Sequence, residues 1–81
     1  MLEKGAIVLS LSGRDKGRLL AVVESGEKSV SVSDGKERPV ERPKLKNIRH
    51  LEPKNARLGD EELKTNRALR KALRSFEASQ R

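Results

Sequence analysis

The longest hydrophobic run in the sequence, residues 19–23, begins directly after a charged loop bounded by Gly13 and Gly17. The stretch "GRDKGRLLAVVE" therefore passes from an exposed turn into the interior within two residues. Only 33% of the residues are hydrophobic, and they are clustered rather than scattered. Because an 81-residue chain buries only about 60–65% of its unfolded surface, its core must be small. These features predict a small β-rich domain that holds this loop, here called the rim loop (residues 13–17), on a rigid strand.

Three strands are predicted before Asp34. Residues 5–11 (GAIVLSL) are apolar and β-branched, and residues 18–25 (RLLAVVES) follow the rim loop. Ser29–Ser33 alternates between serine and valine, which predicts a half-buried strand with both valines on one face.

The dipeptide Asp34–Gly35 predicts a two-residue hairpin turn of type I′. That turn pairs the third strand with a segment that starts at Lys36. Pro39 and Pro43 lack backbone donors, so we expect this partner to be an edge or irregular strand. Residues 47–51 (NIRHL) predict either a short last strand or a single tight turn.

Beyond Gly59 the apolar period becomes helical, which predicts a helix over about residues 60–77 with Asp60 as its N-cap. Its apolar side either packs back on the strands or docks on RNA. The predicted fold class is mainly β, a small antiparallel barrel with a C-terminal α-helix. Residues 1–55 form the barrel, and residues 56–81 form a basic amphipathic helix or tail.

The net charge of +7 and the pI near 10.3 indicate a polyanionic partner. Residues 1–35 carry five basic and five acidic side chains, whereas residues 36–58 carry eight basic and three acidic ones. The excess therefore begins at Lys36, after most of the apolar residues.

The sequence "VLSLSG", then "RDKG", then "RLLAVVE" resembles the KOW motif of ribosomal proteins and transcription-elongation factors. The following "VSDGKERPVERPKLKNIRHLEP" is similar to ribosomal proteins of the fourteen-e, six-e and twenty-seven-e type, and to short bacterial KOW domain-containing RNA-binding proteins. The resemblance covers roughly residues 3–53 and implies an SH3-like barrel that binds RNA. The two ERP prolines and the C-terminal helix depart from this pattern.

The rim loop is predicted to contact RNA phosphates. Gly13 and Gly17 allow a sharp turn and a close approach of the backbone to another surface. Asp15 is expected to accept hydrogen bonds from the loop amides and hold their shape. The cations expected to reach phosphates from or beside the loop are Arg14, Lys16 and Arg18.

The basic segment of residues 36–49 is predicted to supply further phosphate contacts. The alternative is a solvated edge strand whose charges prevent aggregation. The cations of this segment assigned to RNA are Lys36, Arg38, Arg42, Lys44, Lys46 and Arg49.

Composition argues against other classes of function. The chain has no cysteine, and His50 is its only histidine, so we expect no metal, no cofactor, no small-molecule substrate and no enzymatic activity. Phe76 is the only aromatic residue, which leaves no platform for base stacking. Residues 5–13, the longest uncharged stretch near the start, are too short to span a membrane, so we expect a cytoplasmic protein. We also expect the protein to be monomeric when it is not bound to RNA.

The leading hypothesis is a non-enzymatic RNA-binding protein that contacts structured ribosomal RNA of the large subunit. The alternative is a KOW module that docks on a protein, as in transcription elongation. Compaction of double-stranded DNA is a third, weaker hypothesis because the chain offers no apolar wedge for it.

Overall fold

Residues 2–80, which the computed structural model describes, form an antiparallel sheet followed by two helices. The elements are β1 (Ala6–Ser10), β2 (Leu19–Glu24), β3 (Ser29–Ser33), β4 (Lys44–Asn47), β5 (Leu51–Arg57), α1 (Asp60–Leu63) and α2 (Asn66–Ser79). The strand order is β4-β3-β2-β1-β5. This confirms the predicted fold class, mainly β with a C-terminal helix. Within residues 2–80, the edge strands β4 and β5 do not pair, so the sheet stays open.

The hydrophobic run at residues 19–23 is explained by the burial of β2 on both faces. Leu20 lies opposite Val8, and both are buried in the interior of the curved sheet together with Val22. Ala21 lies opposite Ile7 on the other face, where α2 covers them. A central strand buried on both faces requires a continuous apolar run, because alternate side chains point to opposite sides.

Helix α2 packs against the outer face of β1 and β2 through its apolar side. Leu69 is fully buried and Leu73 nearly so, in a cluster with Ile7 and Ala21. Of the two alternatives for the C-terminal helix, the structure shows the one in which it folds back on the strands.

The prediction of one continuous helix over residues 60–77 was wrong. The chain leaves the helix after Leu63 and starts a second one at Asn66. Thr65 is extended, and its hydroxyl accepts a hydrogen bond from the Ala68 amide at 3.1 Å. A threonine in this position acts as an N-cap and so begins a new helix. Gly59, rather than Asp60, is the N-cap of α1.

The predicted two-residue hairpin at Asp34–Gly35 was also wrong. The partner of β3 is β4, which begins at Lys44, and an irregular connection of residues 34–43 separates them. The Asp34 carboxylate accepts hydrogen bonds from the amides of Lys36 and Arg38, both at 2.9 Å. This side-chain capping bends the chain away from β3 before a ladder can form.

Residues 47–51 include the tight turn that was one of the two predictions, a 3-10 turn at Ile48–His50. The strand β5 that follows was not predicted. It lies at the sheet edge, where Pro53 is tolerated because one side of the strand needs no ladder donor. The predicted division between residues 55 and 56 falls within β5. Met1 and Arg81, at the ends of the two predicted segments, lie outside the described residues.

Candidate nucleic-acid interface

The rim loop is a tight, hydrogen-bonded turn between β1 and β2. The Gly17 amide donates to the Ser10 carbonyl at 2.8 Å, and the Arg18 amide donates to the Asp15 carbonyl at 2.9 Å. Gly17 adopts a φ of 85°, in the left-handed region that favours glycine. Arg14 and Lys16 are exposed on this turn. The loop therefore presents two cations from a backbone that is fixed at both ends.

Asp15 is the buried centre of a cluster of cations. Its carboxylate lies 3.3 Å from the Lys44 ammonium, 3.6 Å from Arg38 Nε and 3.9 Å from the Lys46 ammonium. The side chain of Asp15 is only 5% exposed. The expectation that Asp15 holds the loop amides was wrong, because its oxygens face these three side chains instead. Asp15 therefore joins the rim loop to the basic segment.

The ionisation of Asp15 reflects this environment. Burial acts to raise the pKa of the Asp15 carboxyl, because it removes the charged form from water. The hydrogen bond from Lys44 and the positive charges of Arg38, Lys44 and Lys46 outweigh burial and hold the pKa below its ordinary value. Asp15 is thus a carboxylate at neutral pH.

A second set of ion pairs joins Arg18, directly after the rim loop, to two carboxylates at the start of the connection of residues 34–43. The Arg18 guanidinium lies 3.7 Å from the Asp34 carboxylate and 3.6 Å from that of Glu37. This arrangement fixes the connection of residues 34–43 beside the rim loop.

Lys44 and Lys46 point inward from the edge strand β4. They lie opposite Val32 and Val30, on the face that lines the interior, whereas Leu45 between them is 69% exposed. The Lys46 ammonium donates to the Ser12 carbonyl at 3.0 Å. Inward-pointing charges on an edge strand discourage pairing with another sheet, which was the alternative interpretation of the basic segment.

The nine cations assigned to RNA fall into two groups within residues 2–80. Those held in ion pairs with carboxylates are Arg18, Arg38, Lys44 and Lys46. Those that are exposed and make no ion pair with a described residue are Arg14, Lys16, Lys36, Arg42 and Arg49. The structure therefore leaves about half of the predicted cations available to a polyanion.

Two further cations beside the rim loop were not assigned from the sequence. Arg70 and Arg74 of α2 line a groove of about 270 Å³ together with Gly17 and Lys36. Their spacing of four residues on a helix was visible in the sequence. The sequence did not indicate which side of α2 faces the rim loop, because that depends on how the helix packs on the sheet.

Residues 2–80 contain no group of three or more metal-ligating side chains, and no helix among them has the length and hydropathy needed to cross a membrane.

Comparison with known proteins assigns no family to this chain. No family model matches the sequence, and no curated protein matches it.

Proposed function

We propose that this protein is a non-enzymatic RNA-binding protein of the KOW type, which associates with structured ribosomal RNA in the cytoplasm. The observation that carries the proposal is the pair of exposed cations, Arg14 and Lys16, on a loop whose backbone is fixed between two core strands. Cations on such a loop can bind phosphates at defined positions rather than by diffuse attraction alone.

The ion pairs around Asp15 separate the cations that hold the rim loop from those that are free to contact RNA. Arg38, Lys44 and Lys46 neutralise a buried carboxylate and hold the loop in place, so they act on RNA indirectly. Arg14, Lys16 and Lys36 then supply the contacts from the surface. Phosphate contacts of this kind position a protein on a nucleic acid without reading its bases.

The sole aromatic side chain supports recognition by shape. Phe76 packs against the cluster between α2 and the sheet, so it is not presented as a stacking surface. Contacts to phosphates and 2′-hydroxyls of a folded RNA need no such surface.

Two matched lysine variants test the proposal. Lys16 lies on the rim loop and Lys28 in the turn at the opposite end of β2; both are exposed, and no ion pair among residues 2–80 involves either. We expect Lys16→Gln to weaken binding to a ribosomal RNA fragment and to reduce the salt slope by about one, as for one lost phosphate contact. Lys28→Gln should leave both quantities close to those of the parent. Equal effects of the two changes would contradict a role for the rim loop.

Docking on a protein is the second candidate, and the exposure of Leu45 favours it. This leucine is 69% exposed on the edge strand β4, where an apolar side chain of a protein partner could cover it. Capture of partners from a lysate with and without ribonuclease separates the two functions. Ribosomal partners that disappear after ribonuclease support RNA binding, whereas protein partners that persist support docking.

A further inference from the structure

A groove runs between the rim loop and helix α2, at a junction that the strands alone do not form. Gly17 and Lys36 line one side of it, and Arg70, Arg74 and Glu77 of α2 line the other. We propose that this groove is a phosphate-binding site, and that α2 is the second half of the RNA interface. The proposal deepens the RNA-binding function proposed above and rests on it.

The charge balance of the groove favours an anion. Lys36, Arg70 and Arg74 face a single carboxylate that lacks an ion pair within residues 2–80, that of Glu77. Asp34 also lines the groove, but one of its carboxylate oxygens accepts two backbone amides and the other pairs with Arg18. Its negative charge is therefore already compensated. The three cations of the groove therefore exceed its one uncompensated carboxylate, that of Glu77, by two charges.

The groove is formed before any ligand binds. Arg70 Nη1 donates to the Gly35 carbonyl at 2.7 Å, which fixes the guanidinium at the junction and leaves its other N–H groups for a ligand. The Asn66 side chain accepts a hydrogen bond from the Val40 amide at 2.7 Å and so ties the start of α2 to the same connection. Because Leu69 and Leu73 anchor the helix, binding does not require the helix to become ordered.

The backbone of the rim loop is accessible at the edge of the groove. A Cβ atom added to Gly17 would meet no described atom within 4 Å. A phosphate can therefore approach the loop closely while it contacts arginines across the groove. The groove is open to solvent, so a hydrated phosphate can enter it without displacing a described side chain.

The test compares two double variants that each remove one lysine and one arginine. Lys36→Gln with Arg74→Gln removes charge from both sides of the groove. Arg67→Gln with Lys71→Gln removes the same charge from α2, and neither residue is among those described as lining the groove. All four side chains are exposed and take part in no ion pair within residues 2–80, so we expect both variants to fold like the parent.

The first readout is affinity for a ribosomal RNA fragment as a function of salt. We expect the groove variant to bind roughly 10- to 100-fold more weakly near 0.1 M salt, with a slope reduced by about two. The control variant should lose much less. Equal losses in the two variants would show that only total charge matters and would overturn the proposal.

The second readout is a titration with inorganic tripolyphosphate, followed by the NMR shifts of the Gly17 and Leu73 amides. These amides should shift in the parent and in the control, but not in the groove variant. If the parent binds no RNA yet shows these shifts, the proposed function fails and the anion site stands. If the parent binds RNA and the groove variant binds equally well, the groove fails and the proposed function stands.

Discussion

Replacement of Asp15 by asparagine removes the negative charge that pairs with Arg38, Lys44 and Lys46 of the basic segment. The change keeps the shape of the side chain but leaves the Lys46 ammonium, 7% exposed, with the Ser12 carbonyl as its remaining described partner. Removal of one partner from a buried ion pair costs about 3–5 kcal/mol. Arg38 and Lys44 are about one-third exposed and can relax into water, so we expect a loss of about 2–3 kcal/mol here.

This loss is a large part of the stability that a chain of this size can have, roughly 4–12 kcal/mol. Urea unfolding followed by circular dichroism measures it directly. With an m-value of about 1 kcal/mol/M, the midpoint of Asp15→Asn should fall by about 2–3 M at pH 7. Glu3→Gln is the matched control, because Glu3 and its partner Arg57 are both more than 60% exposed, and such pairs contribute about 0–1 kcal/mol.

The dependence on pH provides an independent check of the same reasoning. The pKa of Asp15 is lowered in the folded protein, so its contribution is complete above the ordinary carboxyl pKa. It is lost as the pH falls through the lowered, folded-state value. Parent and Asp15→Asn should therefore converge in stability in strong acid. A difference that is absent at pH 7, or that stays constant down to low pH, would refute the role of the Asp15 ion pairs.

Two further predictions concern the packing of α2. Leu69→Ala should lower the free energy of unfolding by about 2–5 kcal/mol, because Leu69 is fully buried. Leu45→Ala is the control and should change the urea midpoint little, because Leu45 is 69% exposed. Similar urea midpoints for the two variants would contradict the docking of α2 on the sheet. Gly35→Ala should destabilise the protein more than Gly17→Ala. Both glycines have a positive φ, so both changes strain the backbone. A Cβ atom at Gly35 would also collide with the Asn66 carbonyl of α2, whereas one at Gly17 would meet open space. Equal unfolding midpoints for the two glycine variants would contradict the contact of Gly35 with α2.

The strands that sequence reasoning predicted are those with a clear apolar pattern. Residues 19–23 are buried or partly buried at every position, and Ser29–Ser33 buries both of its valines on one face, so each strand leaves an apolar pattern in the sequence. Edge strands β4 and β5 leave almost none, because β4 turns its lysines inward and Leu45 outward, and Pro53 of β5 is acceptable at an edge. Their pairing depends on tertiary contacts.

The candidate site was predictable in its composition but not in its connections. The sequence indicated that the rim loop carries exposed cations, since glycines on both sides of Arg14 and Lys16 favour a turn. It did not indicate that Asp15 faces Lys44, 29 residues away, because the position of β4 depends on how the connection of residues 34–43 folds. The same limit applies to Arg74, whose place beside the rim loop depends on the packing of Leu69 and Leu73.

The most direct test of the central claim is the affinity of the parent protein for a folded ribosomal RNA fragment across a range of salt concentrations. Five exposed cations on the rim loop and the groove make no ion pair within residues 2–80, namely Arg14, Lys16, Lys36, Arg70 and Arg74. If each binds a phosphate, the log–log slope should be about −3.5 to −4.5, and affinity should fall on the order of 100- to 500-fold between about 50 and 200 mM salt. An affinity that does not change with salt, or binding no stronger than that of a neutral control protein, would contradict the account.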